Sequence, residues 1–183
     1  SSTVEFKNDG IGKKEVINFD NKNLCDACKV KEIKDSINWD EREKELRDIC
    51  DKYRKYDGSY DCLVPGSGGK DSFMQAHLLK YKYGMNPLTC TWAPHIYTDW
   101  GYKNFKSWID TGFDNFLFTP NTKVHRLLTR LALENLFHPF QPFMFGQNYL
   151  TPKIAAKKFK IKLVFYGESP LEYGNGDNKN SPI

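Results

Sequence analysis

At 183 residues the chain is long enough for one α/β domain with an arm, and it needs no disulfides to hold a core. Apolar residues at 39% and aromatics at 15% exclude a disordered chain, and no run approaches the roughly 20 apolar residues that span a bilayer. The formal charge of +4 is unevenly spread: residues 1–58 hold 13 Lys/Arg against 14 Asp/Glu and residues 59–183 hold 14 against 9, so the basic excess lies in the second part, where it suits a polyanionic small molecule as well as nucleic acid.

The N-terminus is polar (SSTVEFKNDGIGKK) with no secretory segment, and the five cysteines are odd in number. Together these read as a reducing, cytoplasmic setting in which Cys serves as ligand, nucleophile or core filler. From Asn38 to Tyr56 the pattern predicts an amphipathic helix, N-capped by Asn38 with Glu41 three residues on. It sets Trp39, Leu46, Ile49, Cys50, Tyr53 and Tyr56 on one face. Asp57-Gly58-Ser59 breaks it, which divides the chain into an N-terminal arm, 1–58, and a main domain, 59–183.

Strand and helix patterns then take turns. Strands are predicted at Tyr60–Pro65, Pro87–Trp92, Phe113–Thr119 and Ile161–Tyr166. Helices are predicted at Ser72–Gly84, Tyr102–Thr111 and Thr122–Leu136, the last with Leu127, Leu128, Leu131 and Leu136 inside, and one or two more between Phe143 and Phe159. Each parallel connection needs a crossover of about a dozen residues, so this alternation predicts an α/β fold with a doubly wound parallel sheet. The polar segment after Tyr166 closes no sheet, and we expect the native protein to continue beyond Ile183.

Between the first strand and its helix stands Gly66-Ser67-Gly68-Gly69-Lys70-Asp71-Ser72. A strand that delivers glycines to a helix N-terminus leaves backbone N–H groups free for an anion and lets it approach closely. Lys70 adds charge, and the Ser67 and Ser72 hydroxyls add donors. The Walker A pattern is excluded, because Asp71 follows Gly69-Lys70 and Val64 stands five places before Gly69.

Ser-Gly-Gly-Lys-Asp-Ser after an apolar strand resembles the PP-loop of the N-type ATP pyrophosphatases, which share the adenine nucleotide alpha hydrolase-like fold. The resemblance implies that residues 66–72 cradle the β and γ phosphates of ATP, with Lys70 and Asp71 catalytic, Asp71 on Mg²⁺, and the adenine near Thr91 and Trp92. The stretches from TWAPHIYTDWGYKNFKSW to LENLFHPFQPF and KLVFYGESPLEYGN, with LCDAC near the N-terminus, are similar to the N-acetyl sugar amidotransferases of pseudaminic acid, flagellin and lipopolysaccharide biosynthesis. That likeness implies an ATP-dependent conversion of a sugar acetamido group to an acetamidino group, with ammonia from a separate glutaminase partner. His95, Tyr97 and Asp99, after the second strand, and Gly167 and Glu168, after the fourth, stand where such a substrate would lie.

Cys25 and Cys28 form half of a four-ligand zinc site. The resemblance places another such pair upstream that this chain does not show. A redox pair or plain surface cysteines are the alternatives. Cys50, Cys62 and Cys90 read as core residues, and His125 and His138 as core or capping histidines. The lysines of Ala155–Lys162 read as a helix end rather than a nucleic-acid patch, and HPFQPF as a loop packing its rings inward or lining a sugar pocket. The rival functions are a tRNA-thiolating PP-loop enzyme, which needs a reactive cysteine at the strand ends, and a fragment that binds ATP without catalysis.

Overall fold

A computed structural model describes residues 19–167. The chain divides into two compact units, the larger of them Glu43–Glu168. In the smaller unit, Phe19 bridges to Cys25 and helix α1 runs Asp26–Asp35. Helix α2, Trp39–Tyr53, begins as predicted, with the Asn38 side-chain oxygen accepting from the Glu41 amide at 3.2 Å.

The larger unit, Glu43–Glu168, is built on four parallel strands: β1 Cys62–Pro65, β2 Pro87–Trp92, β3 Asn115–Phe118 and β4 Leu163–Val164. Their order is β3-β2-β1-β4. Between them run α3 (Lys70–Tyr81), α4 (Asp99–Asp110), α5 (Thr122–Glu134), α6 (Gln141–Phe145), a π-helical turn (Gly146–Leu150) and α7 (Thr151–Lys158). The expected mixed α/β architecture with a parallel, helix-flanked sheet is present. β1 is buried at every residue because helices cover both faces. Cys62 and Val64 pack with Cys50, Ala76, Leu79 and Trp108 on one side, while Leu63 meets Leu88, Cys90, Ala155 and Ile161 on the other. Cys50, Cys62 and Cys90 are therefore core residues, and burial pushes the Cys62 and Cys90 thiols up to about 12.

Asp61 ties the start of the sheet together. Its carboxylate is almost wholly buried and accepts from the amides of Lys55 at 2.6 Å and Asn86 at 2.7 Å. These bonds fix the end of α2 and the entry to β2 against β1.

Two helix faces depart from their expected burial. On α2, Cys50 is buried and Leu46 half-buried, but Trp39 and Ile49 are exposed, and Tyr56 lies beyond the helix end in solvent. Leu136 lies beyond the end of α5, 96% exposed, and on the helix Leu127, Leu128 and Leu131 are 42–48% exposed, because the residue turned into the core is His125. Its ring takes the edge of Trp92 at 5.6 Å and lies 3.9 Å from the ring of His95. An apolar stripe shows that a helix is two-sided, and it does not say which flank its neighbour covers.

Candidate active site at the carboxyl end of β1

β1 ends at Pro65, and α3 begins at Lys70, two residues earlier than expected, with Gly69 as N-cap. The four residues between form a bend held from behind. The Gly66 amide donates to the Cys90 carbonyl at 2.9 Å, and the Thr91 hydroxyl donates to the Gly66 carbonyl at 2.7 Å. Gly66 has no room for a side chain, since a Cβ would stand 2.4 Å from the Ser72 hydroxyl. Gly68 has φ +89°, a conformation that favours glycine, and its Cα faces the α4 backbone. Gly69 is the opposite case: nothing lies within 4 Å of its Cβ position.

Among the described residues, no protein acceptor takes the amides of Ser67, Gly68, Gly69, Lys70, Asp71 or Ser72. Six consecutive donors without a protein acceptor among the described residues leave this helix N-terminus positively polarised. Of these residues Gly68 is buried against α4, while Ser67, Gly69, Asp71 and Ser72 border a cavity of about 190 Å³ at the boundary between β1 and β4. The strand order reverses there, which is where open α/β sheets place ligands. Gly66, Ser67, Gly69, Asp71 and Ser72 line one part of it, and Phe140, Phe143, Met144, Gln147, Asn148, Tyr166 and Gly167 most of the rest.

The side chains expected at the loop divide in their behaviour. Asp71 borders the cavity, and its exposed carboxylate is 3.4 Å from the Lys70 ammonium. Such a hard oxygen suits Mg²⁺, which takes one or two carboxylates and completes its shell with phosphate and water. Lys70 is 91% exposed and is not part of the cavity wall. The Ser72 hydroxyl is turned inward and donates to the Gly69 carbonyl at 3.2 Å, so it steadies the bend rather than offering a free donor. Ser67 is exposed at the cavity edge.

The side chains of Thr91 and Trp92 are not open to a ligand. Thr91 is 1% exposed, with its hydroxyl engaged by Gly66 and Asn115. Trp92 stacks on Phe118 at 5.1 Å, and its amide donates to Gln147 at 2.8 Å. Of the substrate positions after β2, His95 bonds Thr129 at 3.1 Å and Tyr97 packs against Tyr102 and Phe105, while Asp99 opens α4 as an exposed residue; none of the three lines the cavity. Of the set predicted after β4, Gly167 does line the cavity. A Cβ there would stand 3.1 Å from the Ser72 nitrogen, so this strand exit lies across the N-terminus of α3. Glu168 and the polar segment that follows lie outside the described residues.

The wall of α6 and the π-helical turn carries no sequence signal beyond the HPFQPF loop. Its rings do not simply pack inward: Phe140 and Phe143 stack at 4.8 Å and face the cavity, with Phe140 half in solvent. The turn widens at Gly146 because the Trp92 indole occupies the space of a side chain there, 2.4 Å from the Cβ position. Gln147 is consumed in fastening the turn to β2, through Trp92 N and the Cys90 carbonyl at 3.3 Å.

Cys25 and Cys28 lie in the smaller unit, 3.6 Å apart at sulfur, and they open α1. They supply two thiol ligands and no more. Among the described residues no three His, Cys, Asp or Glu side chains gather to hold a metal, so these residues do not fit a complete zinc site. No helix among them is long and apolar enough to cross a membrane.

The chain matches no family model. Over 75 residues, 41% of its length, it is 37% identical to an uncharacterized protein of Methanocaldococcus jannaschii. It spans about a quarter of that relative, 27% of its length.

Proposed function

We propose that the chain is the nucleotide-cleaving part of an ATP-dependent amidotransferase of PP-loop type, acting on the acetamido group of an N-acetyl sugar. The observation that carries this reading is the run of amides from Ser67 to Ser72 with no protein acceptor among the described residues, of which Ser67, the unobstructed Gly69, Asp71 and Ser72 border a cavity. Such a surface suits a pyrophosphate group, and its donors are already oriented, so they hold the leaving charge as it develops without reorganising. The acetamido oxygen attacks the α-phosphorus, and pyrophosphate departs into the cradle. Ammonia then adds to the activated carbon, AMP leaves with the former amide oxygen, and an amidine remains.

Asp71 would hold Mg²⁺, which would supply positive charge against the phosphate oxygens. Lys70, 91% exposed and paired with the exposed Asp71, can swing to the outer phosphates. Ammonia is supplied by a separate glutaminase. A thiolating enzyme would need a thiolate near the strand ends, and Cys62 and Cys90 are buried with pKa values near 12.

The test is to incubate the full-length protein with ATP, Mg²⁺, ammonium and a panel of free and nucleotide-linked N-acetyl sugars. The expected result is AMP, pyrophosphate and a product with one oxygen replaced by NH. ATP bound without AMP release would reduce the site to nucleotide binding, and AMP formed only with tRNA would move it to the thiolating class.

A further inference from the structure

We propose that Phe140, Phe143 and Asn148 form the acceptor subsite: the stacked rings receive the apolar face of a pyranose, and the Asn148 side chain pairs with its acetamido group. This rests on the function proposed above and names the residues that choose its sugar.

The geometry of the reaction directs the assignment. In a displacement at phosphorus the nucleophile enters in line with the leaving group. If the loop amides hold the departing pyrophosphate, the acceptor must stand on the other side of the α-phosphorus, within the same cavity. The adenine, separated from that phosphorus by the ribose, lies farther away. The part of the wall not made by the loop is dominated by Phe140, Phe143, Met144 and Asn148. The acceptor is therefore the reactant that meets them.

The chemistry of this wall agrees. Phe140 and Phe143 are nearly parallel, with 25° between ring planes, and form a stiff apolar surface that costs little conformational entropy to order. A pyranose presents axial C–H groups on one face, which such a surface buries, while its hydroxyls stay hydrated at the half-exposed Phe140 edge. Asn148 is the cavity's one uncommitted carboxamide. Its backbone carbonyl accepts from the Tyr166 hydroxyl at 3.0 Å, which fixes the residue, yet among the described residues its side chain has no partner. Gln147 beside it is fully engaged. A carboxamide offers one acceptor and two donors, and since the N–H and C=O of a trans acetamido group point to opposite sides, the Asn148 carboxamide oxygen takes the acetamido N–H and leaves the carbonyl oxygen to phosphorus.

The experiment uses full-length protein, wild type and the variants Phe140→Leu and Asn148→Ala, with N-acetylglucosamine and UDP-N-acetylglucosamine as probes. Saturation transfer to the acetyl methyl group reads sugar binding in the presence of pyrophosphate and Mg²⁺. Calorimetry reads pyrophosphate and ATP affinity, and circular dichroism confirms folding. Expected is an acetyl signal in the wild type that each variant weakens about tenfold, the loss of roughly one good contact, with pyrophosphate and ATP affinity unchanged. No acetyl signal from either probe in the wild type, an unchanged signal in both variants, or a loss of ATP affinity with sugar binding intact would overturn the assignment, the last giving the wall to the base. Sugar binding that depends on Asn148 without AMP formation would sustain the subsite while the proposed reaction fails. AMP formation with a sugar KM indifferent to both variants would sustain the reaction while the subsite fails.

Discussion

Gly68 lies against the backbone of Asn104: a Cβ on residue 68 would stand 2.6 Å from the Asn104 carbonyl oxygen. The contact sets the glycine bend directly on α4, with backbone on both sides and nothing flexible to yield. Gly68→Ala therefore meets both a steric block and an unfavourable φ, and is expected to cost about 1–3 kcal/mol, read as a lower thermal midpoint. An unchanged midpoint would show that the bend can detach from α4.

Gly69 gives the complementary test. Its φ of −67° suits any residue, and no atom occupies its Cβ position. Gly69→Ala should leave stability within about 0.5 kcal/mol and yet weaken pyrophosphate binding, because the added methyl stands where the anion approaches. If calorimetry finds the affinity unaltered, the cradle is not where the phosphates sit.

The cysteines separate into two classes. Cys25 and Cys28 are accessible, and a hydrogen bond between the thiols holds Cys28 above its ordinary pKa; Cys50, Cys62 and Cys90 are buried. A thiol reagent at pH 8 should modify two groups quickly and three only on unfolding. Since the Cys62 and Cys90 pKa values are raised on folding from 9.0 to about 12, their contribution to stability is complete below pH 9 and is lost as pH climbs toward 12. Cys62→Ala and Cys90→Ala, once their cavity cost is subtracted, should flatten that alkaline decline.

His125 works on the acid side. Burial, then the neighbouring His95, lowers its pKa below 6.5, so the unfolded chain takes up the proton first. Stability from this group is complete above pH 6.5 and falls as pH drops toward its folded pKa. A His125→Gln variant should show a shallower loss between pH 7 and pH 5 in urea titrations; an identical slope would mean the imidazole titrates as freely as in solvent.

Element types were legible in the sequence because they follow from local pattern. Pro87–Trp92 is a strand at its predicted limits, and Asn38 caps its helix as its side chain suggests. The glycine bend was legible for the same reason, being a contiguous string whose chemistry is its own backbone. What could not be read were long-range choices. The resemblance puts an adenine near Thr91, whose hydroxyl is instead spent on Gly66, 25 residues away. Phe143 and Met144 on α6, and Asn148 on the π-helical turn whose Gly146 lies against the Trp92 indole, meet the loop at the cavity from far along the chain. No local rule announces that encounter.

The same indole has a photophysical consequence. Two of the four tryptophans, Trp39 and Trp100, are 63% and 73% exposed, so their emission is red-shifted and open to acrylamide. Trp92 presses on Gly146, and Trp108 reaches within 2.7 Å of the Gly66 Cβ position, so both sheltered, blue-emitting indoles touch elements that frame the cavity. Once the outer pair is quenched, the residual fluorescence becomes a label-free gauge of whatever enters between them.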